Sequence, residues 1–167
     1  MKKFKVNDNK SEEHEINYRQ FNKKLELLNQ ILSLISDINQ ASDEKEVKDC
    51  IPALLQYTGE YTDADRVYIF ELMSEKQDYY SNTFEWCREG IVPQIDNLIR
   101  ISANSMPVWH EKFLRGETII IHDLEKICET MPSEYDILKV QDIHSLLVLP
   151  LFANTQLSGF IGLDNPE

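Results

Sequence analysis

The first part of the chain carries apolar residues at helical spacing. From residue 18 onward they recur at alternating intervals of three and four, which is typical of a helix that packs lengthwise against another helix. This first stripe consists of Tyr18, Phe21, Leu25, Leu28, Leu32 and Ile35. A second stripe, about 110° around the helix at about 100° per residue, consists of Leu27, Ile31, Leu34 and Ile38. The pattern predicts a helix over residues 18–41, after a disordered or frayed segment over residues 1–17.

Two apolar stripes on one helix are more than an ordinary amphipathic helix needs, because a single domain covers one face. One interpretation is that both stripes are buried in the same domain. The other is that one stripe covers the domain and the second meets a partner helix, since an uncovered stripe favours aggregation. On the second interpretation we expect a homodimer, and the pattern leaves open which stripe faces the partner. The first stripe supplies the candidate dimer seam, which comprises Phe21, Leu25, Leu28, Leu32 and Ile35.

The remaining sequence alternates between strand and helix patterns. The runs ADRVYIFEL (64–72) and YYSNTFEWC (79–87) are rich in β-branched and aromatic residues and predict an antiparallel hairpin. ETIIIHD predicts a third strand, and the apolar runs within residues 145–167 predict a fourth and a fifth. Capping signals predict helices that begin near Ser42, Ser105, Asp123 and Ser133, and Pro52 is expected to kink or break the first of them. Paired strands separated by irregular helices predict an α+β fold, with a mainly antiparallel sheet and helices on both faces.

The charge balance narrows the possible partners. The chain has 29 acidic and 17 basic residues and a net charge of −12, which repels nucleic-acid phosphates and anionic membrane surfaces alike. We therefore expect no nucleic-acid partner and no membrane insertion. No run is long and apolar enough for a signal peptide or a membrane span, so the sequence predicts a cytoplasmic protein.

Patterns typical of catalytic and metal sites are absent from the sequence. The four histidines share no metal-ligand spacing, and there is no glycine-rich phosphate loop, so we expect no metal and no cofactor. The three cysteines, Cys50, Cys87 and Cys128, form no C-x-x-C pair, which favours buried, reduced thiols. Cys87 has no base beside it in the sequence to activate it as a nucleophile.

Five segments carry a resemblance to a known family. They are YTDADRVYIFEL, SNTFEWCREGIVPQIDNL, the Trp of PVWHEKF, DILKVQDIHSLLVLPLF and LSGFIGLDNP. In order and separation they resemble the GAF domain of bacterial signalling proteins, in particular the modules attached to histidine kinases and diguanylate cyclases. The resemblance covers about residues 42–166, so we assign residues 42–167 to this domain. It implies a GAF/PAS-like central sheet with strand order 2-1-5-4-3, and a regulatory module rather than an enzyme.

In this family a C-terminal helix and an output domain normally follow the last strand. The chain ends at Glu167 directly after that strand. We therefore expect it to be a fragment of a longer signalling protein that lacks these parts.

The resemblance also implies a ligand pocket between one face of the sheet and the helices that cross it. The candidate wall residues are Tyr68, Phe70, Trp86, Trp109, Asp123, Leu138 and Gln141. Aromatic rings supply contact area, while Asp123 and Gln141 are placed to orient polar groups. On this reading the domain senses an unknown small molecule and relays its presence through the dimer seam.

Two alternatives stay open at this point. The domain is a ligand-free dimerisation scaffold if side chains fill the pocket, or a free-methionine-sulfoxide reductase if two thiols lie within disulfide reach beside it. Bilin-carrying members of the family attach the chromophore through a Cys followed by His. Cys128 is followed by Glu129, so that pattern is absent.

Overall fold

The computed structural model describes residues 5–74 and 78–167. Residues 1–4, and the tip of the predicted hairpin at 75–77, lie outside the described residues. None of the helices in the described ranges is long and apolar enough to cross a membrane.

The first two helices, α1 (Lys5–Gln40) and α2 (Glu44–Thr62), pack against each other. The second apolar stripe of α1 faces α2, with Leu27 buried and the others of that stripe half-buried. Helix α1 begins at Lys5, so the part of residues 1–17 within the described range is helical rather than frayed. The physical reason is that residues 5–17 contain no Gly or Pro, and Glu15 pairs with Arg19 one turn on.

Helix α2 starts and ends at specific capping residues. The Asp43 side chain accepts a hydrogen bond from the Glu46 N–H, and the Glu46 carboxylate accepts one from the Ser42 N–H, so the two ends of the first turn cap each other. Pro52 lies inside the helix, which continues to Thr62 without a break. The predicted break is therefore wrong: Pro52 is exposed, and water can replace the backbone hydrogen bond that it removes.

A six-stranded antiparallel sheet follows. Its strands are β1 (Arg66–Ser74), β2 (Asp78–Cys87), β3 (Ile101–Ser102), β4 (Ile119–Ile121), β5 (Leu146–Ala153) and β6 (Gln156–Asp164). The strand order is β3-β2-β1-β6-β5-β4. The order predicted for five strands holds among them, and the two-residue strand β3 adds a sixth at the edge beside β2.

The two faces of the sheet support separate cores. On one face α2 packs against β1 and β2, around Leu55, Val67 and Leu163. The larger core lies on the opposite face, under α3 (Pro107–Leu114), α4 (Pro132–Leu138) and three short 3₁₀ helices at 103–105, 124–127 and 139–141. Phe160 of β6 is central to it, because its ring contacts the rings of Phe70, Tyr80, Trp109 and Phe113 at centroid distances of 4.7, 5.1, 6.2 and 5.0 Å. This face holds the candidate site.

Candidate ligand-binding site

A small cavity lies between the sheet and the layer formed by α3 and α4. Its volume is about 40 Å³, which is enough for about three waters. Its wall consists of Arg66, Tyr68, Phe70, Glu85, Leu98, Ile101, Met106, Trp109, Ile137, Leu138, Gln141, Ile143, Phe160 and Asp164. The wall is therefore mostly apolar, with four charged or amide side chains among its members.

Five of the residues expected from the sequence share this wall: Tyr68, Phe70, Trp109, Leu138 and Gln141. Trp86 does not, because it pairs with Val67 in the β1–β2 ladder and its ring packs on Gly59 of α2, on the opposite face. Asp123 does not either. Its carboxylate caps a 3₁₀ helix by accepting a hydrogen bond from the Glu125 N–H, and it pairs with Lys126 in solvent.

Two wall residues that the sequence reading missed form a buried ion pair. Arg66 Nε donates to Asp164 Oδ2 at 2.9 Å, and Tyr68 OH donates to Asp164 Oδ1 at the same distance. Arg66 Nη2 also donates to the Gln141 carbonyl at 3.0 Å. The two charged side chains are 4% and 1% exposed. They form a fixed polar cluster in a mostly apolar wall.

Burial shifts the pKa values in this cluster. It raises the pKa of Asp164 to about 6, against the opposing effects of Arg66 and of the hydrogen bond from Tyr68. Burial, followed by the nearby Asp164 charge, raises the pKa of Tyr68 well above its usual value. Shifted groups that converge on a cavity are typical of binding and active sites.

Glu85 is the second carboxylate in the wall, and it organises the segment after β2. Its Oε2 accepts hydrogen bonds from the N–H groups of Gln94 and Ile95 at 2.8 and 3.0 Å. Its Oε1 accepts one from Asn82 Nδ2 at 3.1 Å. Glu85 reaches the cavity because it pairs with Tyr68 in the ladder and so shares its face. Strand alternation is the sequence signal that could have selected Glu85 instead of Trp86.

A buried carboxylate positions Trp109. Glu134 of α4 is 1% exposed, and its Oε1 accepts hydrogen bonds from the N–H groups of Val108 and Trp109 in the first turn of α3. The Trp109 ring is buried, and its Nε1–H has no hydrogen-bond partner among the described residues. A buried donor without an acceptor is costly. A water molecule would supply the missing acceptor.

The cysteines are less buried than expected, since Cys50 and Cys87 are half-buried and Cys128 is exposed. None of Cys50, Cys87 and Cys128 belongs to the cavity wall. Burial raises the pKa of the Cys87 thiol to about 11, so this thiol stays protonated and weakly nucleophilic at neutral pH. In the described ranges, no cluster of three or more His, Cys, Asp or Glu side chains is arranged to hold a metal ion.

Comparison with known proteins agrees with this geometry. The model of the GAF domain family matches residues 46–167. The chain belongs to the GAF domain family. Over 126 residues it is 32% identical to the methanogenesis regulatory histidine kinase FilI of Methanothrix harundinacea. The matched region covers 72% of this chain and 14% of that protein. The chain thus spans about one seventh of the length of this relative.

Solved GAF structures share the fold. A phycoerythrobilin-bound GAF domain from a cyanobacterial phytochrome is 16% identical and has a TM-score of 0.64. The superposition covers 84% of this chain and 81% of that domain. The blue-light-absorbing form of the PixJ GAF domain from Thermosynechococcus elongatus is 20% identical, covers 74% and 73%, and has a TM-score of 0.59. At these identities the likeness shows the fold alone.

The residues of this chain do not fit a bilin. A cavity for about three waters is far too small for an open-chain tetrapyrrole. Cys128 is exposed, stands outside the cavity wall and precedes Glu129 instead of His. The cavity therefore suits a much smaller molecule.

Proposed function

We propose that this GAF domain is a non-catalytic regulatory module of a cytoplasmic signal-transduction protein, and that it senses a small molecule in the cavity between sheet and helices. The observation that carries the proposal is the make-up of the cavity wall. Most of the wall is apolar or aromatic, and the Arg66–Asp164–Tyr68 cluster supplies polar groups at fixed positions in it. Few polar groups at fixed positions in an apolar pocket are typical of ligand sites.

The signal would leave the domain through α1. The first apolar stripe lies on the exposed side of the helix, with exposed fractions from 36% at Leu28 to 66% at Tyr18. The second stripe already packs on α2, so it is unavailable to a partner. The exposed stripe has the alternating spacing of a two-stranded coiled coil. We therefore propose that a second copy of this chain packs against it in parallel.

A helical seam suits signal relay. Helix α1 contacts α2, and α2 contacts β1 and β2, which carry Arg66, Tyr68, Phe70 and Glu85 of the cavity wall. A small shift of the sheet would therefore bias the packing of the seam, and packed helices switch between discrete arrangements. The likeness to part of a regulatory histidine kinase supports an output domain of the kinase or nucleotide-cyclase type elsewhere in the protein.

The size of the cavity supports a second candidate, a ligand-free dimerisation scaffold. Side chains fill most of the space between the sheet and the helices and leave about 40 Å³. The methionine-sulfoxide-reductase alternative has less support, because all three cysteines lie outside the cavity wall.

A thermal-shift screen with a filled-cavity control separates the first two candidates. The screen covers amines, amino acids, purines and cyclic nucleotides, and the control is Ile137→Phe, which adds bulk at the wall. A ligand at about 100 times its Kd stabilises the folded state by about 2.7 kcal/mol, which raises Tm by roughly 5–10 °C. We expect such a shift in the unmodified chain and its loss in Ile137→Phe. Absence of any shift, or equal shifts in both proteins, would support the scaffold instead.

A further inference from the structure

An open cleft adjoins the cavity at one end. The cleft has a volume of about 360 Å³ and is lined by Asp65, Arg66, Gly90, Ile91, Val92, Gln94, Val140, Gln141, Asp142 and Asn165. Arg66 and Gln141 line both spaces. We call the smaller space the inner chamber and the larger one the outer cleft. The 3.0 Å hydrogen bond from Arg66 Nη2 to the Gln141 carbonyl lies at the boundary between them.

Asn165 holds the rim of the outer cleft in place. Its Oδ1 accepts hydrogen bonds from the N–H groups of His144 and Ser145 at 2.8 and 3.1 Å. Its Nδ2 donates to Asp65 Oδ2 at 2.7 Å and to the Asp142 carbonyl at 3.1 Å. The amide thus makes the four hydrogen bonds available to it. The outer cleft is therefore a preformed feature of the fold rather than a gap between mobile loops.

Negative charge predominates around both spaces. Their walls contain four carboxylates, Asp65, Glu85, Asp142 and Asp164, and one cationic side chain, Arg66. Arg66 is committed to Asp164. In solvent, Arg88 lies 3.7 Å from Asp65, and His144 lies 3.5 Å from Asp142.

Of the two carboxylates in the wall of the inner chamber, Asp164 pairs with Arg66 and Glu85 has no counter-charge among the described residues. Glu85 accepts three hydrogen bonds from N–H groups but forms no ion pair in the described part of the chain. Gln94, whose N–H binds Glu85, also lines the outer cleft, so Glu85 stands close to the boundary of the two spaces. A cation would be attracted here, and an anion repelled.

The other walls suit the apolar part of such a cation. The rings of Tyr68, Phe70, Trp109 and Phe160 line the inner chamber, and aromatic rings attract ammonium groups as well as alkyl groups. The chamber alone holds about three waters, which limits the buried part of a ligand to a few heavy atoms. A larger ligand would extend through the boundary into the outer cleft.

We propose that the inner chamber and the outer cleft form one site for a short aliphatic ammonium ion. The alkyl group occupies the inner chamber, the ammonium group lies beside Glu85, and the outer cleft is the entrance. This proposal rests on the proposed sensing function, because it assigns a ligand class to the same cavity.

Three probes of nearly equal size and different charge test the ligand class on the full chain. They are n-propylammonium, 1-propanol and propionate, titrated by calorimetry and by thermal shift. For so few heavy atoms we expect Kd values of roughly 0.1–1 mM at best. Propylammonium should bind about tenfold more tightly than 1-propanol, because of one close opposite charge, and propionate should not bind. Equal or tighter binding of 1-propanol or propionate would overturn the ligand class.

Matched variants test the roles of Glu85 and of the outer cleft. Glu85→Gln should weaken propylammonium binding about tenfold and leave 1-propanol unchanged, whereas the exposed Glu89→Gln should change neither. Val140→Trp, at a site 77% exposed, should narrow the cleft and slow propylammonium association. Unchanged binding in Glu85→Gln, or unchanged kinetics in Val140→Trp, would contradict the proposal.

The outcomes separate this proposal from the proposed function. A screened compound of another class that stabilises the unmodified chain and fails to stabilise Ile137→Phe overturns the ammonium assignment and leaves sensing intact. If neither the probes nor any screened compound binds, both proposals fail. The probe series on the unmodified chain decides the matter even if Glu85→Gln does not fold.

Discussion

Arg66 Nε lies 2.9 Å from Asp164 Oδ2, and the two residues face each other in the β1–β6 ladder. Both side chains are almost completely buried. Taking two charges out of water is costly unless their geometry is good and their remaining hydrogen-bond donors and acceptors have partners. Tyr68 OH and the Gln141 carbonyl supply these extra partners. The pair therefore ties the ends of two central strands to the helical layer at one end of the cavity.

The ionisation of Asp164 should make stability depend on pH. Its pKa is raised to about 6 in the folded chain, above its usual value near 3.9, so the folded state holds this proton more tightly than the unfolded state. Protonated Asp164 therefore contributes to the free energy of unfolding. This contribution is complete below about pH 4, is lost as the pH rises through about 6, and amounts to about 3 kcal/mol. Urea unfolding from pH 4 to 7 should show that the unmodified chain loses this amount relative to Asp164→Asn. A flat or rising difference would show that the attraction of Arg66 outweighs burial.

Gly59 and Trp86 should be energetically coupled. A Cβ atom at Gly59 would overlap the six-membered ring of Trp86, so Gly59→Ala should destabilise the fold by about 1–3 kcal/mol through overpacking. Trp86→Leu should cost less in the Gly59→Ala background than in the unmodified chain. Urea midpoints of the four proteins give the coupling energy. Strictly additive effects would show that α2 shifts freely over the sheet.

Glu134 should support both stability and the position of Trp109. Its carboxylate caps the first turn of α3 from a site that water does not reach. Glu134→Ala leaves two N–H groups unpaired and should destabilise the fold by about 1–3 kcal/mol. The exposed Glu129→Ala is the matched control and should change stability by less than about 0.5 kcal/mol. Near-ultraviolet circular dichroism would report the expected loosening of the Trp109 ring, and an unchanged spectrum in Glu134→Ala would count against a positioning role.

The two stripes of α1 should respond differently to charge. Leu28→Glu with Leu32→Glu places charges on the exposed stripe, and should give folded monomers by light scattering at tens of micromolar. Ile31→Glu with Leu34→Glu places them against α2 and should lower the stability of the fold instead. A monomeric unmodified chain would contradict the dimer for residues 1–167. A dimer that survives the first variant would place the interface on another surface.

Most of the fold could be predicted from local sequence patterns. The two stripes of α1 and the alternation in β1 and β2 depend on neighbouring residues, so helical and strand periodicity identified them. Strand β3 escaped notice because two residues show no periodicity. The unbroken helix through Pro52 could not be predicted from local sequence either, because the exposure of this position is known only from the folded chain.

The site was harder to predict because its residues meet only in the folded chain. Arg66 and Asp164 are 98 positions apart, and nothing local indicates that β6 returns beside β1. The family resemblance predicted three of the four aromatic wall residues, Tyr68, Phe70 and Trp109, but not Phe160. Trp86 was misplaced for a physical reason: Phe84 and Trp86 both pair with residues of the α2-facing core, whereas Glu85 shares the face of Tyr68.

The chain has two tryptophans, one on each face of the sheet, and this allows the most direct test of ligand sensing. Trp86→Phe leaves Trp109 as the only indole, in the cavity wall, while Trp109→Phe leaves Trp86 on the α2 face. Each variant is titrated with the compound that gives the largest thermal shift, and its fluorescence emission is recorded. The account predicts a saturable change in emission from Trp109 and none from Trp86. A change from Trp86 alone, or from neither indole while the compound still binds, would contradict sensing in this cavity.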